Sequence, residues 1–271
     1  MPELPEVETT RRGIAPWVEG QRIRVLVVRE PRLRWPVPRH MAATLQGVVV
    51  HRVNRRGKYL LLTTERGTAL LHLGMSGSLR VLHGEIAPGK HDHFDIVLDS
   101  GICIRFSDPR KFGSLLWTAE DPRRHPLLAG LGPEPLEPAF NGNYLWRRAR
   151  GRRVAIKTFV MNAAIVVGVG NIYASEALFR AGISPRRAAG RISRADMARL
   201  AAMVQEVLQE AVEFGGTTLR DFYGGDGEPG YFTRELRVYD RADEPCVNCR
   251  TPIRQVTQGQ RSTYYCPRCQ R

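Results

Sequence analysis

Four cysteines near the C-terminus constrain this chain more than any other feature. They run Cys246-x2-Cys249, sixteen residues, then Cys266-x2-Cys269. A C-x-x-C pair sets two thiolates on one side of a tight turn, and two such pairs complete a tetrahedral zinc site. So short a module has little core of its own, and the metal must supply most of its folding free energy. Cys246, Cys249, Cys266 and Cys269 are therefore expected to hold one structural Zn2+ per chain. Disulfides are the alternative, disfavoured in a reducing compartment. Cys103, between Ile102 and Ile104, reads as an inert core thiol on a strand. Between the two pairs, alternation predicts a hairpin whose turn carries Gln258-Gly259-Gln260-Arg261. An arginine on a metal-braced hairpin suits a phosphate or a groove, and spacing alone leaves a merely solvated Arg261 equally open.

Charge narrows the partner. With 41 Lys+Arg against 27 Asp+Glu the net charge is +14, a surplus suited to a polyanion, nucleic acid before a small acidic substrate. A basic enzyme from an arginine-rich proteome is the competing explanation. Only Lys58, Lys90, Lys111 and Lys157 are lysines. Where arginine is the default, a lysine can mark a need for an amine that can lose its proton or for a compact charge. No apolar run reaches the length of a membrane helix, and MPELPEVETTRR lacks a signal-peptide core, so a cytoplasmic protein is expected.

The chain divides by pattern. Pro5 suits a first helical position, Glu6 and Glu8 the first turn, and Gly20 the residue past the end of one helix. Short apolar runs follow at 23–27, 48–50, 59–62, 69–73, 78–82, 94–98 and 102–106, spaced as in a sandwich or barrel-like sheet. Three prolines and two glycines in LGPEPLEPAFNGN, 131–143, mark a domain boundary. Helical patterns then occupy about 144–149, about 154–164, 171–181 and 193–214, the last ending at Gly215-Gly216. The glycine-rich stretch at 215–232 reads as a mobile loop.

The N-terminus offers chemistry of its own. Trimming of Met1 would expose the secondary amine of Pro2, whose attack on an aldehyde-like carbon gives an iminium, an electron sink for elimination. The α-amino reference pKa of about 8 leaves a useful neutral fraction near neutrality. The bland alternative is that Pro and Glu simply start a helix.

These motifs, taken in order, resemble the bacterial formamidopyrimidine-DNA glycosylase family, enzymes that remove 8-oxoguanine and ring-opened purines. The resemblance runs through PELPEVETTRRG at 2–13, RRGKYLLL at 55–62, HLGMSGSLR at 72–80, KHDHFD at 90–95 and SDPRKFG at 107–113. It continues through LGPEPL at 131–136, VVGVGNIYASEALFRAGI at 166–183, GGTTLRDF at 215–222, PGYF at 229–232 and the four-cysteine module. The endonuclease VIII group shares the architecture, but Leu4 and the KHDH and DPRKFG segments favour the first family. At 161–163 the chain has Met-Asn-Ala where the family's pattern leads us to expect an acidic residue followed by an amide.

The resemblance implies an α+β fold: an N-terminal helix with a β-sandwich, a C-terminal helical part with a helix-two-turn-helix, and a terminal zinc-finger hairpin. The implied divisions are 1–132, a linker at 133–143, 144–232 and 237–271. It makes Pro2 the nucleophile, Glu3 the general acid/base, Glu6 its support and Lys58 a proton donor. Arg261 serves the second elimination and a phosphate. His91, Arg110, Arg152 and Asn171 contact DNA, and Met75, Arg110 and Phe112 refill the space left when a nucleotide swings out of the duplex. His91-Asp92-His93 is read as strand entry plus a DNA-facing histidine, not as a metal site. The implied partner is damaged double-stranded DNA, with no membrane, met by a monomer in the bacterial cytoplasm at the nucleoid. A non-catalytic DNA binder and an enzyme preferring oxidised pyrimidines remain the alternatives.

Overall fold

Leu4, Val7, Ile14 and Val18 recur at helical spacing and form the buried stripe of α1 (Leu4–Val18). Leu4 is its first residue, so Pro5 stands second, not first, where a missing N–H still costs nothing. Only Glu6 lies in the first turn. Glu8 faces sideways and bonds Arg11, Arg12 and Arg55, which hold its carboxyl below the usual range although burial alone would raise it. Gly20, at φ +76°, follows the Glu19 cap.

The computed structural model describes residues 2–216 and 235–271. Apart from Gly215 and Gly216, the glycine-rich loop expected at 215–232 lies outside the described residues. Those described gather into two units, 2–130 with 214–216, and 131–213 with 235–271.

Eight strands build the first unit. They are β1 (Ile23–Val28), β2 (Val50–Arg56), β3 (Tyr59–Thr64), β4 (Gly67–His72), β5 (Ser78–Leu82), β6 (Asp92–Leu98), β7 (Cys103–Ser107) and β8 (Ser114–Thr118). They form two four-stranded antiparallel sheets, β1-β6-β7-β5 and β2-β3-β4-β8. Val53, Leu60, Leu71 and Leu115 of one sheet and Leu26, Ile96 and Ile104 of the other join a single core with Val7, Ile14 and Val18 of α1. Strand alternation carries this, since a face buried on one side needs an apolar residue at every second position. Two short helices, α2 (Met41–Leu45) and α3 (Pro126–Ala129), complete the unit. Cys103 is a buried core thiol, as expected.

In the second unit α4 (Gly142–Ala149) starts two residues earlier than its apolar pattern suggests, because Asn141 Oδ1 accepts the Tyr144 N–H at 3.0 Å. The helix expected over about 154–164 shrinks to α5 (Ile156–Val160). Asn162 ends it locally, its Oδ1 accepting the Ala164 N–H at 2.9 Å, and this is the part played by the unusual Met-Asn-Ala segment. Two turns lead on to α6 (Asn171–Arg180), and α7 (Arg194–Glu213) packs on α4 and α6 through Met197, Leu200, Val204 and Leu208. The hairpin β9 (Arg254–Gln258) and β10 (Arg261–Tyr265) closes the unit. Its two-residue turn is Gly259-Gln260, both at positive φ, the hand that matches strand twist. No helix among the described residues is long and apolar enough to cross a membrane.

Candidate functional site

The first turn of α1 gathers the expected nucleophile and its acidic neighbours. Pro2, Glu3 and Glu6 are all buried. The Glu3 N–H donates to Glu6 Oε2 at 2.8 Å, half of a capping box that fixes the backbone bearing both Pro2 and Glu3. Gly216 lies against Glu6: at φ +83° it has no Cβ, and one placed there would come within 3.0 Å of Glu6 Oε1.

Lys58 sits half-buried in the β2–β3 turn behind Gly57, which takes φ +57°. Burial, helped by the Lys58 and Arg34 charges, pushes the His72 imidazole down to about 4. His72 is thus neutral at pH 7, and its Nδ1 accepts the Gly74 N–H at 2.9 Å, leaving the proton on Nε2. The Tyr59 ring tilts against it at 4.8 Å.

Met75 occupies the β4–β5 turn, half-buried, and Arg110 and Phe112 the β7–β8 loop, so all three stand on loop tips. The Arg110 guanidinium lies 4.9 Å over the Phe112 ring, which is 43% exposed. Lys111 between them takes φ +57° and its Nζ bonds Glu30 at 2.5 Å. In the His-Asp-His run only His91 is on the outside. His93 Nε2 donates to the Asp108 carbonyl at 2.6 Å, and Asp92 accepts from Arg80 and the Gly89 N–H. The run joins no group of potential metal ligands among the described residues.

In the second unit the four expected thiols converge, their sulfurs all within 4.8 Å of one another. The Cys246–Cys269 and Cys249–Cys266 Sγ pairs stand at 3.9 and 3.5 Å. Tetrahedral zinc with bonds of about 2.3 Å requires sulfurs about 3.8 Å apart, so the site fits the ion. Hydrogen bonds from Thr251 pull Cys249 down to about 6, while burial pushes Cys266 and Cys269 up, so four thiolates need a dication to coexist. All four positions are filled by protein, which makes this a structural zinc site.

Arg261 is exposed at the head of β10. The carbonyl of the next residue, Ser262, accepts from Lys157 Nζ and from Asn171 Nδ2, each at 3.0 Å. Lys157 also donates to Thr263 Oγ1 at 2.7 Å. Asn171 is the first residue of α6, as expected; its Nδ2 bonds the hairpin, while its buried Oδ1 has no hydrogen-bond partner among the described residues. Arg152 is exposed and lines, with Arg153 and Arg191, a recess of about 560 Å³.

Four residues escaped the sequence reading. Lys157, Glu176 and Asp108 bind partners far along the chain, whereas His72 bonds within its own turn and meets the Tyr59 ring. Lys157 alone left a signal, as one of few lysines among arginines. Glu176 is fully buried on α6 and accepts the backbone N–H groups of Arg237, Val238 and Tyr239 at 2.9–3.0 Å. Asp108 is also fully buried, bridging two loops.

Comparison with known proteins agrees with this geometry. Three family models match: the formamidopyrimidine-DNA glycosylase N-terminal domain over 1–115, its H2TH domain over 131–223, and the zinc finger found in FPG and IleRS over 243–271. The formamidopyrimidine-DNA glycosylase of Methylococcus capsulatus is 61% identical over 271 residues, covering 100% of both chains. The crystal structure of the MutM (FPG) protein from Thermus thermophilus superposes with a TM-score of 0.89 at 40% identity, over 99% of this chain and 98% of that one. A mutant Lactococcus lactis FPG bound to Fapy-dG containing DNA gives a TM-score of 0.92 at 29% identity, over 100% of both. With matched models along most of its length and 61% identity to a relative from end to end, this protein belongs to the formamidopyrimidine-DNA glycosylase family.

Proposed function

We propose that this chain is a bifunctional DNA glycosylase and AP lyase that excises oxidised purines, 8-oxoguanine and formamidopyrimidines, in base excision repair. The observation that carries the reading is the first turn of α1, where Pro2 is buried beside Glu3, whose backbone Glu6 holds. Once Met1 is removed, the Pro2 amine attacks C1′ of the damaged nucleotide as the bond from C1′ to the base breaks. Glu3 supplies the proton that opens the deoxyribose ring, and the base leaves with its bonding electrons and a proton. The resulting iminium on Pro2 draws electrons as a proton leaves C2′ and the 3′ phosphate departs; a second elimination expels the 5′ phosphate. Lys58 serves as proton donor near the lesion, and Arg261 meets the phosphate during the second elimination. The zinc does no chemistry, and its part is to hold the hairpin bearing Arg261.

His91, Arg110, Arg152 and Asn171 are read as DNA contacts, and Met75, Arg110 and Phe112 as the groups that refill the stack. We read 1–132 as the catalytic part, 133–143 as a linker, 144–232 as the helical DNA-binding part and 237–271 as the finger. The protein works as a monomer on duplex DNA in the bacterial cytoplasm, at the nucleoid. Borohydride trapping tests the chemistry: the parent becomes covalently attached to DNA containing 8-oxoguanine. Pro2→Gly keeps residual lyase activity through its primary amine, whereas Glu3→Gln mainly stops base excision. A parent protein that binds this DNA but is never trapped would be a mere binder.

A further inference from the structure

Three DNA-directed segments leave one end of a single sheet. β5 and β7 pair antiparallel with Ser78 opposite Ser107, and β6 joins there with Asp92 opposite Ser107. The Met75 turn enters β5, His91 enters β6, and the Arg110–Phe112 loop leaves β7. The residue after Ser107 is Asp108, and it touches all three. Its Oδ1 accepts the Ser76 hydroxyl at 2.7 Å and the Arg110 N–H at 3.2 Å, and its Oδ2 accepts the Gly113 N–H at 2.8 Å. Its own N–H donates to the His91 carbonyl at 2.9 Å. Asp108 has no exposed surface, so these bonds are shielded from water. Gly74 brings the two loops into backbone contact, for a Cβ there would meet Gly113 N and Phe112 C at 2.5 Å.

We infer that Asp108 is a positioning residue that locks the Met75 turn to the Arg110–Phe112 loop, so that the groups entering the base stack are assembled before DNA arrives. The inference rests on reading Met75, Arg110 and Phe112 as the refilling groups. Physically, inserting two independent loops would order each of them during binding, with a loss of conformational entropy for every backbone residue fixed. Loops already tied to one carboxylate avoid most of that cost and enter together. The bond from Ser76 is the only one of the four that crosses from the Met75 turn to Asp108; the other three act within the β7–β8 loop or on His91.

Ser76→Ala cuts this cross-tie and leaves Asp108 its two backbone donors, so both loops keep their own bonds. Two activities separate positioning from folding: excision of 8-oxoguanine from a duplex, which needs the stack refilled, and cleavage of an abasic site in single-stranded DNA, which does not. Ser76→Ala is expected to lower duplex excision about tenfold, the effect of one net hydrogen bond, with single-strand cleavage within about twofold of the parent. Fluorescence of 2-aminopurine placed opposite the lesion reports insertion directly, and its rise should slow by a similar factor. Asp108→Asn should lower the duplex-to-single-strand ratio further if the variant folds. Equal loss of both activities, or no loss in either, would overturn the inference. Met75→Ala in the same pair of assays tests the underlying reading: if it leaves the ratio unchanged, the refilling role itself fails, whatever Ser76→Ala does.

Discussion

Glu176→Gln puts one buried carboxylate at risk and tests how the finger is joined to its helices. In the parent, Glu176 Oε1 accepts from Val238 and Tyr239, and Oε2 from Arg237. A glutamine carbonyl in the Oε1 position keeps two of the three bonds, now without charge, and turns its NH2 against the Arg237 N–H. Charge-assisted bonds contribute about 1.5–3 kcal/mol each and neutral ones about 1, and a buried donor left unmet costs a further 1–3 kcal/mol. Relief from burying a bare charge offsets part of this, leaving about 2 kcal/mol, or roughly thirtyfold in the equilibrium for opening that segment. Hydrogen exchange is the direct assay. The amides of Arg237, Val238 and Tyr239 should exchange about thirtyfold faster, while those of β3 and β4 in the other unit keep their rates. Affinity for damaged duplex should fall with them. Unchanged exchange at 237–239 would refute the reasoning, since the three bonds would then contribute nothing to holding the segment down.

Removing zinc with a chelator, or Cys249→Ser, should unfold the last thirty residues or so and abolish DNA binding, while the sheet unit keeps its circular dichroism; a Cys249→Ser protein that bound DNA as tightly as the parent would reduce the finger to a stability device. His72 has a folded-state pKa depressed from 6.5 to about 4, so the unfolded chain binds the proton first and stability is lost as pH falls through that window, by about 2–3 kcal/mol. His72→Asn should remove this component from a plot of stability against pH, and a slope unchanged between pH 4 and 6.5 would contradict it. DNA affinity should weaken steeply with salt, since the charge of +14 and exposed arginines such as Arg152 and Arg261 imply many phosphate contacts; a nearly flat plot of log affinity against log salt would contradict that.

Several elements needed only local information. The hairpin turn at Gly259-Gln260, the start of α6 at Asn171, the end of α7 just before Gly215-Gly216 and the convergence of the four cysteines all follow from spacing within a few residues or from one metal. Loop-tip placement of Met75 and Phe112 came the same way, from flanking glycines. Local pattern also misled. It ran α5 on past Asn162, whose side chain ends the helix, and it missed β8 (Ser114–Thr118), which is placed by its pairing with β4.

What the tertiary structure decided were pairings between distant residues. Lys157 reaches Thr263 across 106 positions, Glu176 reaches Val238 across 62, and Asp108 reaches Ser76 across 32. Each is a buried polar group, and burial makes a partner obligatory without saying which one. A lone sequence supplies the demand for a hydrogen bond; only the packed chain, with water excluded, chooses who meets it. His72 is the same case in electrostatic form, a histidine whose neutrality is set by burial and by charges from Lys58 and Arg34 that folding brings near.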